Sequence, residues 1–336
     1  MKIIKNIPLY GYSVDPEQLS FVDRLLTKSK NERPGFYQRM FYEDFARVFN
    51  FVNHGDTNLF QVETNDEELI RKMFGNLQAR YRKYSVDETI RELVEAVAQS
   101  LIWQGTAYYF VQNVPEQEKI HITPLVSDNI FCFFSVYFQY VPKRCERYLE
   151  RDHEMLPREL RILDKNKLMR FEIPRSLRRM LSEQNRTLKI IDKHQFGVTN
   201  FYPQATYENP NPKSHFDFSI WKNTQEQALF RATRKTGWNG RNYDSSKCSD
   251  FFHYYRLIRF RRNQLILRDY ILLQLGKELT RVGHRYNEDF NVVISPTSVL
   301  PQIDKLDEME SGFAPIFPDT CYHLTHYWPA AADIPV

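Results

Sequence analysis

The feature that most limits what this chain can fold into is "SVDETIRELVEAVAQSLIWQGTAYYFVQN", residues 85–113. Ser85 and Glu88, three positions apart, are the two members of a capping box, each able to satisfy an orphan backbone N–H at a helix start. Ile90, Leu93, Val94, Val97, Leu101 and Ile102 then recur at helical spacing and mark one apolar face. Gly105 ends that pattern, and "TAYYFVQN" is β-branched and aromatic, as strands are. A capped helix feeding directly into a strand sets the expected class as α+β. The fold is expected to be mostly helical, with a small mixed or antiparallel sheet.

Other segments read in the same way. Residues 15–29 and 35–52 carry helical stripes, and 65–84 open on Asn65 as a candidate cap with Glu68 three residues on. The runs 106–113, 119–126 and 129–141 predict a meander of strands, the last aromatic on both faces. Residues 143–167 are highly charged and predict a helical excursion. "KLMRFEI" (167–173) predicts a strand, "PRSLRRMLSEQ" (174–184) a short helix and "RTLKIID" (186–192) another strand. Prolines 203, 210 and 212 make 196–214 a loop. Residues 216–237 predict a helix, and 249–282 predict one long helix of about 50 Å at 1.5 Å per residue, with Gly276 as its weak point. "NVVIS" (291–295) predicts a strand and 302–311 a short acidic helix. The composition shifts divide the chain into a helical and meander core (1–142), a basic excursion with a Pro-rich loop (143–215), a long-helix region (216–290) and an acidic tail (291–336).

Charge is segregated along the chain. Residues 143–193 hold 15 Lys/Arg against 9 Asp/Glu, and 222–285 hold 14 against 5. Residues 286–336 reverse this, with 1 against 8. A positive surface in the middle of the chain implies a polyanion or an acidic protein surface as its counterpart. In the long helix the candidate nucleic-acid contacts are Arg256, Arg259, Arg261, Arg262 and Arg268, with Arg175, Arg178 and Arg179 as a second cluster. The apolar residues Leu257, Ile258, Leu265, Ile266, Ile271, Leu272 and Leu275 are spread widely around the same helix, so packing competes with that reading.

Several chemistries find no support. The chain has no GxxxxGK[ST] loop, GxSxG elbow, GxGxxG turn or HExxH helix. It also has no acidic-x-Lys tripeptide, the metal-and-lysine half of a common nuclease core. No catalytic residue and no cofactor are expected. Cys321, His323 and His326, with Cys248 or His253 as a fourth, are the best metal candidates, but no second half with a zinc-like spacing accompanies them. No metal site is assigned. The four cysteines form no CxxC pair and suggest free thiols in a reducing compartment. Of the two uncharged stretches, 96–115 carries Gln99, Gln104, Gln112 and Asn113 and 129–142 is too short to span a bilayer, so no membrane partner is expected.

The segment 88–113, followed by "IHITPLVSDNIF" (120–131), resembles the portal proteins of tailed bacteriophages. The matching residues are Gly105, Ala107 and Tyr108 at the corner, then Pro124 and Leu125 in the next strand. The helical segments 216–237 and 249–282 stand where such a protein would place its stem, with 238–248 as a very small clip. The resemblance implies a non-enzymatic virion protein, in a virion or a bacterial cytoplasm. It also implies a ring of copies around double-stranded DNA that meets capsid, motor and tail proteins. The alternative reading is a nucleic-acid-binding component, with or without nuclease activity, of a bacterial mobile-element or defence system.

Overall fold

A computed structural model describes residues 2–10, 19–27, 34–49, 60–74, 85–114, 119–145, 155–198, 226–241 and 250–297. The chain divides into two compact units. The first comprises Met1–Arg33, Phe60–Glu172 and Ile271–Ser295; the second comprises Pro34–Leu59, Ile173–Tyr270 and Pro296–Val336. The expected α+β class holds.

In the first unit the helix expected after Ser85 is α4, Val86–Gln104, preceded by β1 (Lys2–Lys5), α1 (Phe21–Leu26), β2 (Phe60–Thr64) and α3 (Glu67–Phe74); α2 (Phe36–Ala46) belongs to the second unit. The capping box forms as read: Ser85 Oγ accepts from the Glu88 backbone N–H at 3.2 Å, and Glu88 Oε2 accepts from the Ser85 N–H at 3.0 Å. Ile90, Val94, Val97 and Leu101 are fully enclosed, so the apolar stripe is the packed face. Helix α3 is capped differently from the sequence reading. Asp66 Oδ1 accepts from the Leu69 N–H at 2.9 Å, while the Asn65 side chain donates to Asp289 O and accepts from Asn291 N–H. A carboxylate one position later takes the cap, and Asn65 is used in a long-range bridge.

The strands form more than one sheet. β3 (Thr106–Val114), β4 (Lys119–Leu125) and β10 (Leu168–Glu172) make an antiparallel sheet in the order β10-β3-β4. Tyr108 stands opposite Leu125 and Tyr109 opposite Pro124. The expected single strand at 129–141 is instead a hairpin, β5 (Ile130–Phe133) and β6 (Val136–Val141). Phe134 and Ser135 turn it with φ of 44° and 62°, the left-handed pair a two-residue hairpin turn requires. β5 and β6 join β9 (Glu159–Leu163) and β1 in a second sheet, order β1-β9-β6-β5, with β1 parallel to β9. Tyr108, Phe110, Leu125, Ile130, Leu163 and Leu168 share one apolar cluster drawn from both sheets. The minor pair β7 (Arg144–Cys145) and β8 (Met155–Leu156) precedes β9.

The reading of 143–167 as helical is therefore wrong where it is described. Strand β9 turns Glu159, Arg161 and Leu163 inward, so two of its three inward side chains are charged. Arg161 Nη2 and Nε both donate to Glu159 Oε2, and Nη1 donates to Ile7 O at 2.9 Å. An inward ion pair removes the apolar alternation by which a strand is recognised.

In the second unit the separate helix and strand expected at 174–192 are a single helix, α5, Arg175–Val198. It packs on α2 (Phe36–Ala46). Asp192 of α5 accepts from the Tyr37 and Gln38 backbone N–H groups at 2.8 and 3.1 Å and caps the start of α2. Gly35 permits that approach, since a Cβ there would collide with the Asp192 side chain. Phe41 and Phe45 of α2 meet Trp238 and Phe260 edge to face at 5.4 and 5.5 Å. Residues 226–232 are helical.

The long helix, α6, runs from Asp250 to Gly283 without a break at Gly276. Its residues up to Tyr270 belong to the second unit and those from Ile271 to the first. There β11 (Val292–Pro296) pairs with β2. The loop readings within 199–214, the acidic helix 302–311 and the candidate ligands Cys248, Cys321, His323 and His326 lie outside the described residues.

Candidate functional site

The corner singled out in the sequence sits in the first unit. At Gly105 the chain adopts φ of +83°, and its N–H closes onto Leu101 O at 2.8 Å. That left-handed residue is the standard end of a helix that must leave its axis at once. It delivers Ala107, Tyr108, Tyr109 and Phe110 straight into the centre of the β10-β3-β4 sheet, where all four are buried. Helix, glycine corner, strand and proline-bearing strand are thus one continuous piece of structure.

The first unit also fixes a charged cluster around α1. Asp23, 2% exposed, accepts from Tyr140 OH at 2.6 Å and from Arg158 Nε at 2.8 Å. Burial pushes its carboxyl up. The Arg158, Ser20 and Tyr140 hydrogen bonds, with the Arg158 charge, outweigh burial and hold it well below the usual carboxylate range. This cluster pins α1 to β6.

The candidate arginines of α6 divide by direction. Arg256, Arg261 and Arg268 are enclosed, at 2%, 2% and 1% exposure. Arg256 donates to Phe230 O at 3.0 Å, to Thr233 Oγ1 at 2.5 Å and to Trp238 O. Arg261 donates to Gln264 Oε1 at 2.8 Å, and Gln264 Nε2 in turn donates to Asp44 O and Arg47 O at the end of α2. Arg268 donates to Asp269 and to Thr297 O. These three guanidinium groups hold backbone carbonyls and side chains of their own unit. Arg259 and Arg262 are half-buried, and Arg259 donates to Tyr255 OH at 2.8 Å.

Arg175, Arg178 and Arg179 stand exposed on the first turns of α5. Because α5 is one helix, they are joined by Arg186, Lys189 and Lys193, all exposed. The signal was present as cations at 175, 179, 186 and 193, a spacing of four and seven residues. Reading 186–192 as a strand concealed it. Opposite this row, Leu177, Leu181, Gln184, Leu188 and Ile191 are buried. Glu183, at the edge, accepts from Lys235 at 2.6 Å and Arg179 at 2.8 Å, and these bonds lower its pKa.

Among the described residues no group of three or more His, Cys, Asp or Glu is placed to hold a metal ion. No described helix is long and apolar enough to cross a membrane. An open cleft of about 650 Å³ in the first unit is lined by Asp66, Glu68, Lys72, Asn113, Tyr286 and Asn287 among others. Among its lining residues Asn287 Nδ2 donates to Asp66 Oδ2 at 2.9 Å, and Lys72 Nζ lies 2.7 Å from Glu68 Oε1.

No family model matches the chain, and no curated protein matches it. Among solved structures it is similar to an HK97 family phage portal protein from Corynebacterium diphtheriae. That likeness has 9% identity, 83% of this chain and 95% of that chain covered, and a TM-score of 0.42. It is also similar to a chain in the neck of an empty GTA particle, with 11% identity, 94% and 95% covered and a TM-score of 0.44. A chain in the virion of a native gene transfer agent particle gives 10% identity, 86% and 90% covered and a TM-score of 0.42.

Proposed function

We propose that this protein is a portal-like structural subunit of a phage or phage-derived particle, forming a ring of copies through which double-stranded DNA passes. The observation that carries the reading is the Gly105 corner. A capped helix, a left-handed glycine, an aromatic strand and a strand bearing Pro124 follow in the order that residues 88–131 suggest. A ring built from one chain needs a heterologous contact that closes by rotation. Exposed apolar side chains of the first unit, among them Phe21, Leu25, Phe133 and Phe134, supply surface for contacts of that kind. On this reading the partners are further copies of the chain, DNA, and capsid, motor and tail proteins. No bond is made or broken by the protein.

Native mass spectrometry and negative-stain imaging of the purified full chain test the reading. A closed ring with a central hole, formed without nucleotide or metal, is expected. A monomer or dimer at every concentration tried would sink it.

A further inference from the structure

We propose that the hairpin tip between β5 and β6 of one copy seats on the outward face of α1 of the next copy. The inference rests on the ring reading above, which supplies the neighbouring copy, and deepens it by naming the two surfaces that meet. Both belong to the first unit. Helix α1 is built in reverse of an ordinary surface helix, whose apolar stripe faces the core. Its acidic residue, Asp23, is buried, while Phe21 and Leu25 are 82% and 75% exposed and Val22 and Leu26 also face solvent. The bonds from Tyr140 and Arg158 to Asp23 hold this orientation. Phe21, Val22, Leu25 and Leu26, at i, i+1, i+4 and i+5, make two short ridges with a groove between them.

The hairpin tip presents a second apolar patch. Phe133 and Phe134 are 61% and 86% exposed, with Val136 exposed beside them. Phe134 takes the left-handed conformation, φ of 44°, at a turn position that asparagine or glycine fills most readily. A bulky side chain is unfavourable there, and its exposure to water is unfavourable too. Pairing of β5 with β6 does not require it, since a smaller residue would close the same turn. The two rings meet edge to face at 4.4 Å, a knob already set in shape. Aromatic rings give contact area with few rotamers to freeze on binding.

The number of patches and their size indicate what covers them. A head-to-tail contact between identical chains needs two different patches on every copy, whereas an isologous contact or a foreign partner needs one. The first unit carries two and holds them apart on one sheet. Asp23 fixes α1 at the Tyr140 end of β6, and the tip adjoins Val136 at the other end. Four strand residues, about 14 Å, separate those ends. Neither patch is large. At their exposed fractions Phe133 and Phe134 present about 220–370 Å² and Phe21 about 120–200 Å². A stable interface takes about 800 Å² from each side. A foreign protein on one patch alone gains little apolar area, while a copy flanked by two neighbours buries both. The cores of such interfaces are rich in aromatic side chains and poor in charge, as these patches are.

The test uses two variants of the full chain under reducing conditions. Phe133→Asp/Phe134→Asp disables the tip, and Phe21→Asp/Leu25→Asp disables the seat. All four side chains are exposed, so both variants are expected to keep the parent's unfolding midpoint. Serine replaces aspartate in either one that does not. Native mass spectrometry follows the assembly of each variant alone and of the two mixed. Alone, each is expected to need at least about tenfold more protein to associate. Mixed, they are expected to form a 1:1 dimer and stop there, since one live tip and one live seat remain between them. A variant that assembles alone as the parent does overturns the proposal. So does a mixture that forms no dimer. Rings from the parent and from both variants would remove this inference and leave the portal reading. A capped dimer from the mixture, with an open chain in place of a ring from the parent, would do the reverse. A parent that stays monomeric at every concentration removes both.

Discussion

Gly105 has open space where a Cβ would go, and its backbone lies at φ of +83°. Replacing it with alanine therefore meets no clash, and the whole cost is conformational. A left-handed L-residue costs about 1–2 kcal/mol, partly offset by the lower unfolded-state entropy of alanine. Gly105→Ala is expected to lose about 1 kcal/mol in urea unfolding. Gly105→Asn should lose less, since asparagine tolerates this conformation. Equal midpoints for the alanine variant and the parent would show that the corner is not held as described. This residue was legible in sequence because glycine punctuates a period change, and the punctuation is local. The arginines of α6 were legible only as residue types. Whether Arg256 faces solvent or Trp238 O depends on Phe230 and Thr233, which lie more than 20 residues away in sequence. No helical period contains that information.

Helix α2 shows why whole elements were misjudged beside others that were read correctly. Its first N–H groups are satisfied by Asp192 of α5, and its last carbonyls by Gln264 of α6. Neither cap is adjacent in sequence. Helix α4 carries its own cap in Ser85 and Glu88 and was found to within a residue. Helix α5 carries Thr187, Ile190 and Ile191 in its second half, residues that favour strands when taken alone. The buried row from Leu177 to Ile191 overrides that preference through packing. Asp192→Ala removes a cap and leaves the Tyr37 and Gln38 N–H groups enclosed without their acceptor. A loss of about 1–2 kcal/mol is expected, read as a lower midpoint in chemical unfolding. Asp192→Asn, which keeps one acceptor oxygen, should recover part of it. If alanine and asparagine behave alike and neither shifts the midpoint, the cap contributes nothing.

At the scale of the whole molecule, neither unit is one continuous stretch of chain. The first unit needs residues 271–295 as much as its earlier segments. β11 is the pairing partner of β2. Gln274 both accepts from the Glu172 N–H and donates to Glu172 O, each at 3.0 Å, at the end of β10. Arg281 donates to Lys165 O and Leu168 O at the start of the same strand. These contacts lie across more than 100 residues of sequence, which is why composition shifts along the chain describe surfaces better than they describe folding units. A fragment ending at Glu172 keeps β1, β3 to β6, β9 and β10, yet loses the partner of β2 and the polar clamps at both ends of β10. It also uncovers the apolar residues against which Leu275, Leu279 and Val282 are buried in the full chain. Such a fragment is expected to lack a cooperative unfolding transition and to bind a hydrophobic dye, while the full chain unfolds sigmoidally. A dispersed amide spectrum and a sharp transition from the fragment would show that the first unit is complete without the far half of α6.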